Sequence, residues 1–404
     1  MTQLFANLHF SPRSFSFSST KVSTNVAIAG AVYAVYLATH HLRAYATHRR
    51  RLARKERRLA EMPAGTEVEG VLTGPLTQTT RIPYYVAGVP SKEHNIVVLV
   101  AGNGLSAEYW RALQRHLAAN GVASVAYDRF TTTHNVRDPR ELTIASHTDE
   151  FAAFMHYLQI EGPILASSPT SFVIVGHSMG CAVVQAYIQR LIKQRQTKLS
   201  ETSSTPKAKI RAVVLADPTP SHALEADPKA KEAFRKNMSR LSAVLPFVSV
   251  LADLALIRPF TDLILVGSAL KRSVQRKSAT TLTPTFSESS TLLNMFATGF
   301  LLRRFNQELR TLPTTIAESA REVEAPSRWV YDHDDDEKRV VRETILVNGK
   351  GENPFGWTLE EMAQKDKEIV ESWKAKKHLL DRSTPHMELV NSAVLVQAIL
   401  EVVQ

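Results

Sequence analysis

Ser171-Phe-Val-Ile-Val-Gly-His-Ser-Met-Gly180 is the most informative segment of this chain. Its apolar run from Phe172 to Val175 is typical of a buried strand, and the Gly-x-Ser-x-Gly spacing after it predicts a sharp turn into a helix. Glycines flank the serine of such a turn because side chains there would collide with the neighbouring strand and helix. The turn lifts the serine hydroxyl above the sheet edge, beside the first amides of the helix. Ser178 is therefore the candidate nucleophile.

A histidine that could act as base is expected further along the chain, because turns of this kind occur in the chain order serine, acid, histidine. Of the 14 histidines, His386 fits best, since it follows the predicted strand Leu379–Asp381 on a polar loop and precedes a terminal helical pattern. A histidine there can reach over the sheet edge to Ser178. The competitors are His333 and His378, and the latter lies at the start of that strand, at the wrong end of the sheet.

The acid partner has several candidates. A short strand is predicted at Arg328–Tyr331, and it runs into an acidic loop. One carboxylate of that loop would orient the His386 imidazole and stabilise its cation. Counted from the start of the strand, Asp335 falls best. The alternatives are its neighbours Asp334 and Asp336, and Asp217 after the predicted strand Ala212–Ala216, whose Asp-Pro-Thr-Pro setting is equally typical of a turn.

An oxyanion hole needs a second amide, from the loop after an earlier strand. Ile96–Val100 is an uninterrupted apolar run, and the loop Ala101-Gly-Asn-Gly-Leu-Ser106 follows it. Small residues in that loop would let its backbone approach a substrate carbonyl closely. The amides of Asn103 and Met179 are the predicted donors, although an ordinary glycine turn would have the same sequence.

Together these segments resemble the serine hydrolases of the α/β-hydrolase superfamily. The resemblance rests on residues 101–110, Tyr127-Asp-Arg129, Gly176-His-Ser-Met-Gly180, and His386 before a helix, and it covers the chain from residue 66 onward apart from an insertion. It implies cleavage through an acyl-enzyme. In two places the chain departs from the family pattern: residues 130–134 stand where glycines usually follow Tyr-Asp-Arg, and Cys181 replaces a glycine often seen after the serine turn.

The alternation of apolar strands and helical patterns independently indicates an α/β fold, with a mostly parallel sheet covered by helices on both faces and an antiparallel edge at its start. The predicted strands are Glu67–Leu72, Ile82–Val86, Ile96–Ala101, Ala123–Tyr127, Phe172–His177, Ala212–Ala216, Arg328–Tyr331 and Leu379–Asp381. The predicted helices of the core are Glu108–Ala119, Thr143–Leu158, Met179–Arg190, Leu359–Ala375 and Ser392–Val403.

Residues 219–325 show no strand alternation and are predicted to form a helical cap, inserted after the sixth strand between the two parts of the core, residues 66–218 and 326–404. Helical spacing is found at Ala230–Leu241, Val244–Ile257, Thr261–Leu270 and Leu292–Leu309. The apolar runs Leu245–Leu251 and Leu263–Val266 indicate ordinary packing, a pocket for an acyl chain, or a surface that rests on lipid.

The N-terminal region is predicted to comprise a polar tail (residues 1–23), a single membrane-spanning helix (24–46) and a basic linker (47–65). Thr24–Leu42 lacks Asp, Glu, Lys and Arg and is just long enough to cross a bilayer, and seven Lys and Arg residues follow at 49–58. By the positive-inside rule the catalytic domain would face the cytoplasm. The alternatives are a mitochondrial targeting segment, because no acidic residue precedes Glu56, and a cleaved secretory signal.

Charge and composition narrow the function classes. Residues 1–62 hold ten Lys and Arg against two Asp and Glu, a net charge of +8; the whole chain is +10, so residues 63–404 carry +2. The positive charge therefore belongs to the N-terminal region, which argues against nucleic-acid binding by the folded part and for contact with an anionic membrane. Cys181 is the one cysteine, so no intramolecular disulfide forms. The sequence shows no metal-ligand cluster, and no cofactor is expected.

The sequence thus predicts a membrane-anchored serine hydrolase that cleaves a small-molecule carboxylic ester, with a lipophilic acyl group. Two alternatives stay open: acyl transfer by the same three residues, and a non-catalytic scaffold on the same fold. Hydrolases of this fold that open epoxides carry a carboxylate nucleophile, and Ser178 argues against that reaction.

Overall fold

The computed structural model describes residues 30–33, 35–36, 39, 67–72, 82–89, 95–129, 143–160, 171–198, 209–219, 221–253, 299–322, 341–350, 359–372, 377–385 and 392–403. The chain divides into two compact units, residues 1–62 and residues 63–404. All strands named below belong to the second unit.

In the first unit, the described residues 30–33, 35–36 and 39 are helical. Val32 and Val35 are exposed, and Tyr33 and Tyr36 stack with ring centroids 6.4 Å apart. The remainder of the predicted spanning segment 24–46 lies outside the described residues. Within the described ranges, no helix has both the length and the apolar character that crossing a bilayer requires.

In the part of the chain that the structure describes, eight strands form one sheet. They are β1 (Glu67–Leu72), β2 (Ile82–Ala87), β3 (Ile96–Val100), β4 (Ser124–Tyr127), β5 (Ser171–His177), β6 (Lys209–Ala216), β7 (Val341–Lys350) and β8 (Lys377–Pro385). Their order is β1-β2-β4-β3-β5-β6-β7-β8. β2 is antiparallel to both of its neighbours, β1 and β4, and the six strands from β4 to β8 are mutually parallel. The predicted α/β-hydrolase architecture with an antiparallel edge is confirmed.

Helices cover both faces of the sheet. The core helices are α1 (Arg111–Ala119), α2 (Ile144–Ile160), α3 (Met179–Lys198), α7 (Leu359–Ser372) and α8 (Ala393–Val403). Successive residues of the fully buried strand β3 point to opposite faces. Val98 packs in the cluster with α2 and α3, whereas Leu99 packs in the cluster with α1 and α8. This burial on both sides explains why β3 is an unbroken apolar run rather than an alternating one.

Among the described residues between β6 and β7, three helices lie where the cap was predicted: α4 (Ser221–Ala226), α5 (Pro228–Asp253) and α6 (Gly299–Glu322). The sequence predicted two helices where α5 is a single 26-residue helix with Pro246 inside it. Leu245 and Ala252 of α5 pack against Leu302 and Leu309 of α6. The predicted helix 261–270 and the apolar run 263–266 lie outside the described residues.

The seventh strand of the structure differs from the one that the sequence predicted. The strand that pairs with β6 is Val341–Lys350, a stretch that the sequence analysis left unassigned. The strand predicted at 328–331 lies outside the described residues. Polar residues such as Glu343 and Thr344 hide the strand pattern, although Thr344 is buried and Ile345, Leu346 and Val347 form an apolar centre. Its position changes the search for the acid, since the acidic residues 332–337 precede β7 in the sequence instead of following the seventh strand.

Candidate active site

Ser178 stands at the turn between β5 and α3 in a strained backbone conformation. Its φ is +52°, a left-handed value that side-chain-bearing residues rarely adopt. Its own amide donates to the Ala216 carbonyl at 2.9 Å, and its carbonyl accepts from the Cys181 amide at 3.0 Å. These two bonds hold the strained residue in place. The Met179 amide is the first of α3 and has no acceptor within the helix. It is the residue predicted as an oxyanion donor.

Gly180 shows why this turn needs its glycine. A Cβ on Gly180 would lie 2.6 Å from the Ala101 carbonyl oxygen and would also collide with that of Val100. The first turn of α3 therefore touches the end of β3 backbone to backbone. This contact brings the serine turn against the loop that carries Asn103.

Arg129 orients the peptide between Gly102 and Asn103. Its guanidinium is buried, with the residue 1% exposed, and it donates a hydrogen bond to the Gly102 carbonyl. The carbonyl and amide of a trans peptide point in opposite directions. The bond to Gly102 therefore turns the Asn103 amide away from Arg129, at a point where a Cβ on Gly102 would lie 3.0 Å from the Cβ of Ser178.

Asp128 fixes the other end of the same loop. One of its carboxylate oxygens accepts a hydrogen bond from the Ala107 amide. Asp128 and Arg129, the two residues directly after β4, thus hydrogen-bond to both ends of this loop and fix its position. The Tyr-Asp-Arg segment was noted in the sequence as a motif, but the positioning role of Arg129 could not be read from it.

Asp217 is the one predicted acid within the described residues. It follows the last residue of β6 and, like Ser178, has a positive φ, +50°. Its amide donates to the Val347 carbonyl of β7 at 2.8 Å. This backbone places Asp217 at the same edge of the sheet as Ser178.

Cys181 lies in the first turn of α3, close to Ser178, and must be considered as a rival nucleophile. Burial raises the pKa of its thiol well above the usual range, and the nearby charge of Asp217 raises it further. Because only the thiolate is a good nucleophile, the buried thiol of Cys181 is a poor candidate for the nucleophile. Its role here is packing.

His177, the neighbour of Ser178, has a structural role. It is fully buried, and its ring lies 6.1 Å from that of Tyr109 and 6.3 Å, edge-on, from that of Trp110. These contacts hold the end of β5 against the short 3-10 helix Ala107–Trp110. The apparent His-Ser pair in the motif is therefore not a base beside its nucleophile.

The predicted base, His386, lies outside the described residues, as do Asp334, Asp335 and Asp336. It directly follows Pro385, the last residue of β8, at the carboxyl end of the parallel strands where Ser178 lies. His378, the competitor, is the second residue of β8, but it pairs with Leu346 of β7, which lies at the level of Leu215 and Gly176. The register therefore does not set His378 at the opposite edge, as the sequence had predicted.

The cap reaches the site through Phe305 of α6. A Cβ on Gly104, whose φ is +68°, would lie 2.8 Å from the Cε2 atom of the Phe305 ring and would also collide with its Cδ2 atom. An aromatic ring of the cap therefore lies directly on the loop that carries Asn103. Periodicity in α6 marks Phe305 as one apolar residue among several, so the sequence alone did not single it out.

A model of the alpha/beta hydrolase family matches residues 97–383, well over half of the chain. No curated protein matches. Among solved structures, the Cif epoxide hydrolase from Acinetobacter nosocomialis is 12% identical over 85% of this chain and 91% of its own, with a TM-score of 0.51. A mutant of a provisionally assigned epoxide hydrolase from Pseudomonas aeruginosa is 14% identical over 84% and 96%, with a TM-score of 0.50. A thermophilic esterase from Thermogutta terrifontis is 14% identical over 83% and 100%, with a TM-score of 0.48.

At such identities the solved structures establish similarity of fold alone. The family match runs from β3 through the serine turn and the region between β6 and β7 into β8, and it ends three residues before His386. This chain belongs to the alpha/beta hydrolase family.

Proposed function

We propose that the protein is a membrane-anchored serine hydrolase that cleaves a carboxylic ester with a lipophilic acyl group. The observation that carries the proposal is the backbone at Ser178, whose positive φ and backbone hydrogen bonds hold it at the start of α3, against the Gly102–Asn103 loop. Strain of this kind persists where the surrounding structure requires it, and it is concentrated at functional sites.

In the proposed reaction, the Ser178 hydroxyl attacks the ester carbonyl while His386 accepts its proton. The amides of Asn103 and Met179 stabilise the tetrahedral oxyanion, and His386 returns the proton to the departing alcohol. Water, deprotonated by His386, then attacks the acyl-enzyme and releases the carboxylic acid and the Ser178 hydroxyl. Covalent opening of an epoxide is not proposed, because the nucleophile position holds a serine.

Glu352 joins the candidates for the acid through the register of the last two strands. Lys350, the last residue of β7, pairs with Pro385, the last residue of β8. Glu352 and His386 lie outside the described residues, but they follow Lys350 and Pro385 in the sequence by two residues and by one. We therefore infer that they leave neighbouring strands at the same edge. The sequence analysis missed Glu352, and the Gly349-Lys-Gly-Glu352 spacing after the apolar residues 345–347 is the signal that could have found it.

Asp217 and Glu352 have a shorter path to the site than Asp335. Asp335 precedes β7 by six residues, and Val341 lies six residues before Val347, the level of Ala216 and His177 in the sheet. Six residues span at most about 20 Å when fully extended. Asp335 would therefore need its whole connection to run back along the strand. We place Asp217 and Glu352 ahead of it.

The lipophilic substrate is supported by the cap and the N-terminal unit. Phe305 covers Gly104, and the cluster behind it contains Leu245, Leu302 and Leu309. A wall of this kind suits an acyl chain, because each buried methylene contributes about 0.8 kcal/mol. The exposed Val32 in the first unit, and the basic residues at 49–58, support an anchor at residues 24–46 with the catalytic unit on the cytoplasmic side.

The decisive experiment is labelling of the full chain with a fluorophosphonate probe, which needs an activated serine but no knowledge of the substrate. We expect the wild type to be labelled and Ser178→Ala and His386→Ala to be unlabelled at unchanged melting temperature. Ser242→Ala, on cap helix α5, serves as the matched control and should label normally. Labelling that persists in Ser178→Ala would place the nucleophile elsewhere.

A further inference from the structure

A row of apolar side chains is exposed on the outer face of cap helix α5. Leu241, Val244, Phe247 and Val250 are 41%, 49%, 66% and 52% exposed. They are spaced three residues apart, so they form one inclined ridge on the helix surface. Of the seven large apolar side chains exposed in the described part of the chain, four belong to this ridge. Such a concentration marks an interaction surface.

The ridge is distinct from the face by which α5 is attached to the cap. On that other face Leu245 and Ala252 pack against α6, and Ser249 is buried with its hydroxyl donating to the Pro246 carbonyl at 2.7 Å. The packing of the helix is therefore satisfied without the ridge. Phe247 lies in the apolar run 245–251, for which the sequence left packing, an acyl pocket and a lipid-resting surface open, and it points to solvent.

Charge divides α5 into two halves. Five basic residues lie in its first half, at positions 229, 231, 235, 236 and 240. Two of them are paired, Lys231 with Glu225 and Arg235 with Glu232, while Lys229, Lys236 and Arg240 are exposed. From Leu241 to Ala252 the helix has no ionisable side chain at all. A helix that enters a membrane surface at an angle needs this division, with bases at the headgroups and apolar residues among the acyl chains.

We propose that the ridge and the basic half of α5 dock the cap on an anionic lipid surface. The positive charges complement the negative headgroups of such a surface. A protein partner fits less well, because a standard interface buries about 800 Å² on each side with a polar rim. One row of four side chains is too narrow for that, whereas lipid needs no matching shape.

Docking by α5 would also bring the candidate active site close to a lipophilic substrate in the membrane. The inner face of α5 packs on α6, and α6 carries Phe305, which lies on Gly104. The helix that contacts lipid is thus one helix away from the loop beside Ser178. This consequence rests on the proposed esterase function, but the docking itself does not.

The docking is tested in the full chain by introducing tryptophan at one position and measuring fluorescence quenching in brominated vesicles of phosphatidylcholine and phosphatidylserine (7:3). The test variant is Phe247→Trp. The matched control is Ala119→Trp, exposed at the end of α1, which lies at the sheet edge opposite the cap. The four native tryptophans are the common background. We expect bromine to quench the added fluorescence at position 247 and not at position 119, whether or not the N-terminal region holds the protein on the vesicle.

Charge removal and a polar substitution give the second readout. Lys236→Gln and Arg240→Gln each remove one positive charge. Each substitution should raise about fivefold the lipid concentration that is required for the same quenching at position 247. Val244→Asp, added to the Phe247→Trp variant and with an unchanged circular dichroism spectrum, should reduce the quenching at position 247. Equal quenching at positions 247 and 119 would overturn the proposal. So would a dimer of the wild type that Phe247→Asp dissociates, because the ridge would then be a protein interface. Neither outcome depends on probe labelling at Ser178.

Discussion

Ser178 and Asp217 are the two non-glycine residues with positive φ in the described part of the chain, and they leave adjacent parallel strands side by side. His177 and Ala216, which precede them, are partners in the β5–β6 register. The Ser178 amide bonds to β6 and the Asp217 amide bonds to β7, so each turn is fastened to the next strand along. Because the chain turns sharply after both strands at the same level of the sheet, Ser178 and Asp217 lie at the same edge.

This pairing leads to a prediction about the acid. Asp217→Asn or Glu352→Gln should lower kcat for a p-nitrophenyl ester by about 10⁴-fold, because a triad histidine without its acid has the wrong tautomer. Asp335→Asn should stay within a few fold of wild type. If Asp335→Asn alone shows the large loss, the acid lies in the loop before β7, and that loop reaches the catalytic edge.

Arg129 is predicted to act on catalysis through the Gly102–Asn103 peptide. Arg129→Met should lower kcat about 10²-fold with a small change in KM, since a misoriented oxyanion donor weakens transition-state binding. Arg211→Met is the matched control, because Arg211 also donates to a backbone carbonyl, that of Val402 at 2.9 Å, but at the other end of the sheet. Equal kcat losses in both variants would mean that Arg129 contributes stability alone.

A comparison of two glycines distinguishes the free-energy cost of backbone strain from that of contact with the cap. Gly104 and Gly121 both have positive φ, but a Cβ on Gly121 would meet nothing within 4 Å, whereas one on Gly104 would strike Phe305. Gly121→Ala should cost roughly 1–2 kcal/mol in the free energy of unfolding. Gly104→Ala should cost more and should shift the preference among p-nitrophenyl esters of different chain length. The excess should vanish when Phe305→Ala is added, in a double-mutant cycle. An additive result would show that the ring does not bear on Gly104.

The Cys181 thiol should resist alkylation in the folded protein. Burial raises its pKa, so iodoacetamide at pH 8 should modify it only after unfolding in urea. Because the folded pKa is raised, this group's contribution to stability is complete below the unfolded-state pKa of about 8.5 and is lost as pH rises above it. Cys181→Ala should therefore lose less unfolding free energy than wild type between pH 8 and pH 10. Rapid alkylation of the native protein would contradict the burial.

Membrane attachment should depend on residues 24–46. Deletion of that segment should release the protein from membranes under carbonate extraction, and deletion of residues 1–23 should not. Protease added to intact vesicles should reach the catalytic unit from the cytoplasmic side. Import into mitochondria with loss of the N-terminal segment would support the targeting alternative.

Local spacing explains which elements the sequence could predict. The serine turn was predictable because its requirements lie within ten residues: an apolar strand, two glycines and a helical run. β7 was missed because burial in the sheet accommodates Thr344 and Glu343 at positions where an isolated strand pattern would show apolar residues. The contact of Phe305 with Gly104 joins residues 201 positions apart, and neither periodicity nor composition carries that information. The same holds for the hydrogen bond from Arg129 to Gly102.

The buried guanidinium of Arg129 has an electrostatic consequence for the site. Arginine side chains stay cationic across the range in which enzymes work. A permanent cation bonded to the Gly102 carbonyl draws electron density through that peptide and makes the Asn103 amide a stronger donor. This polarisation does not change with pH. The pH profile of the proposed reaction should therefore follow the histidine and the acid alone, while the donor strength of the Asn103 amide stays constant.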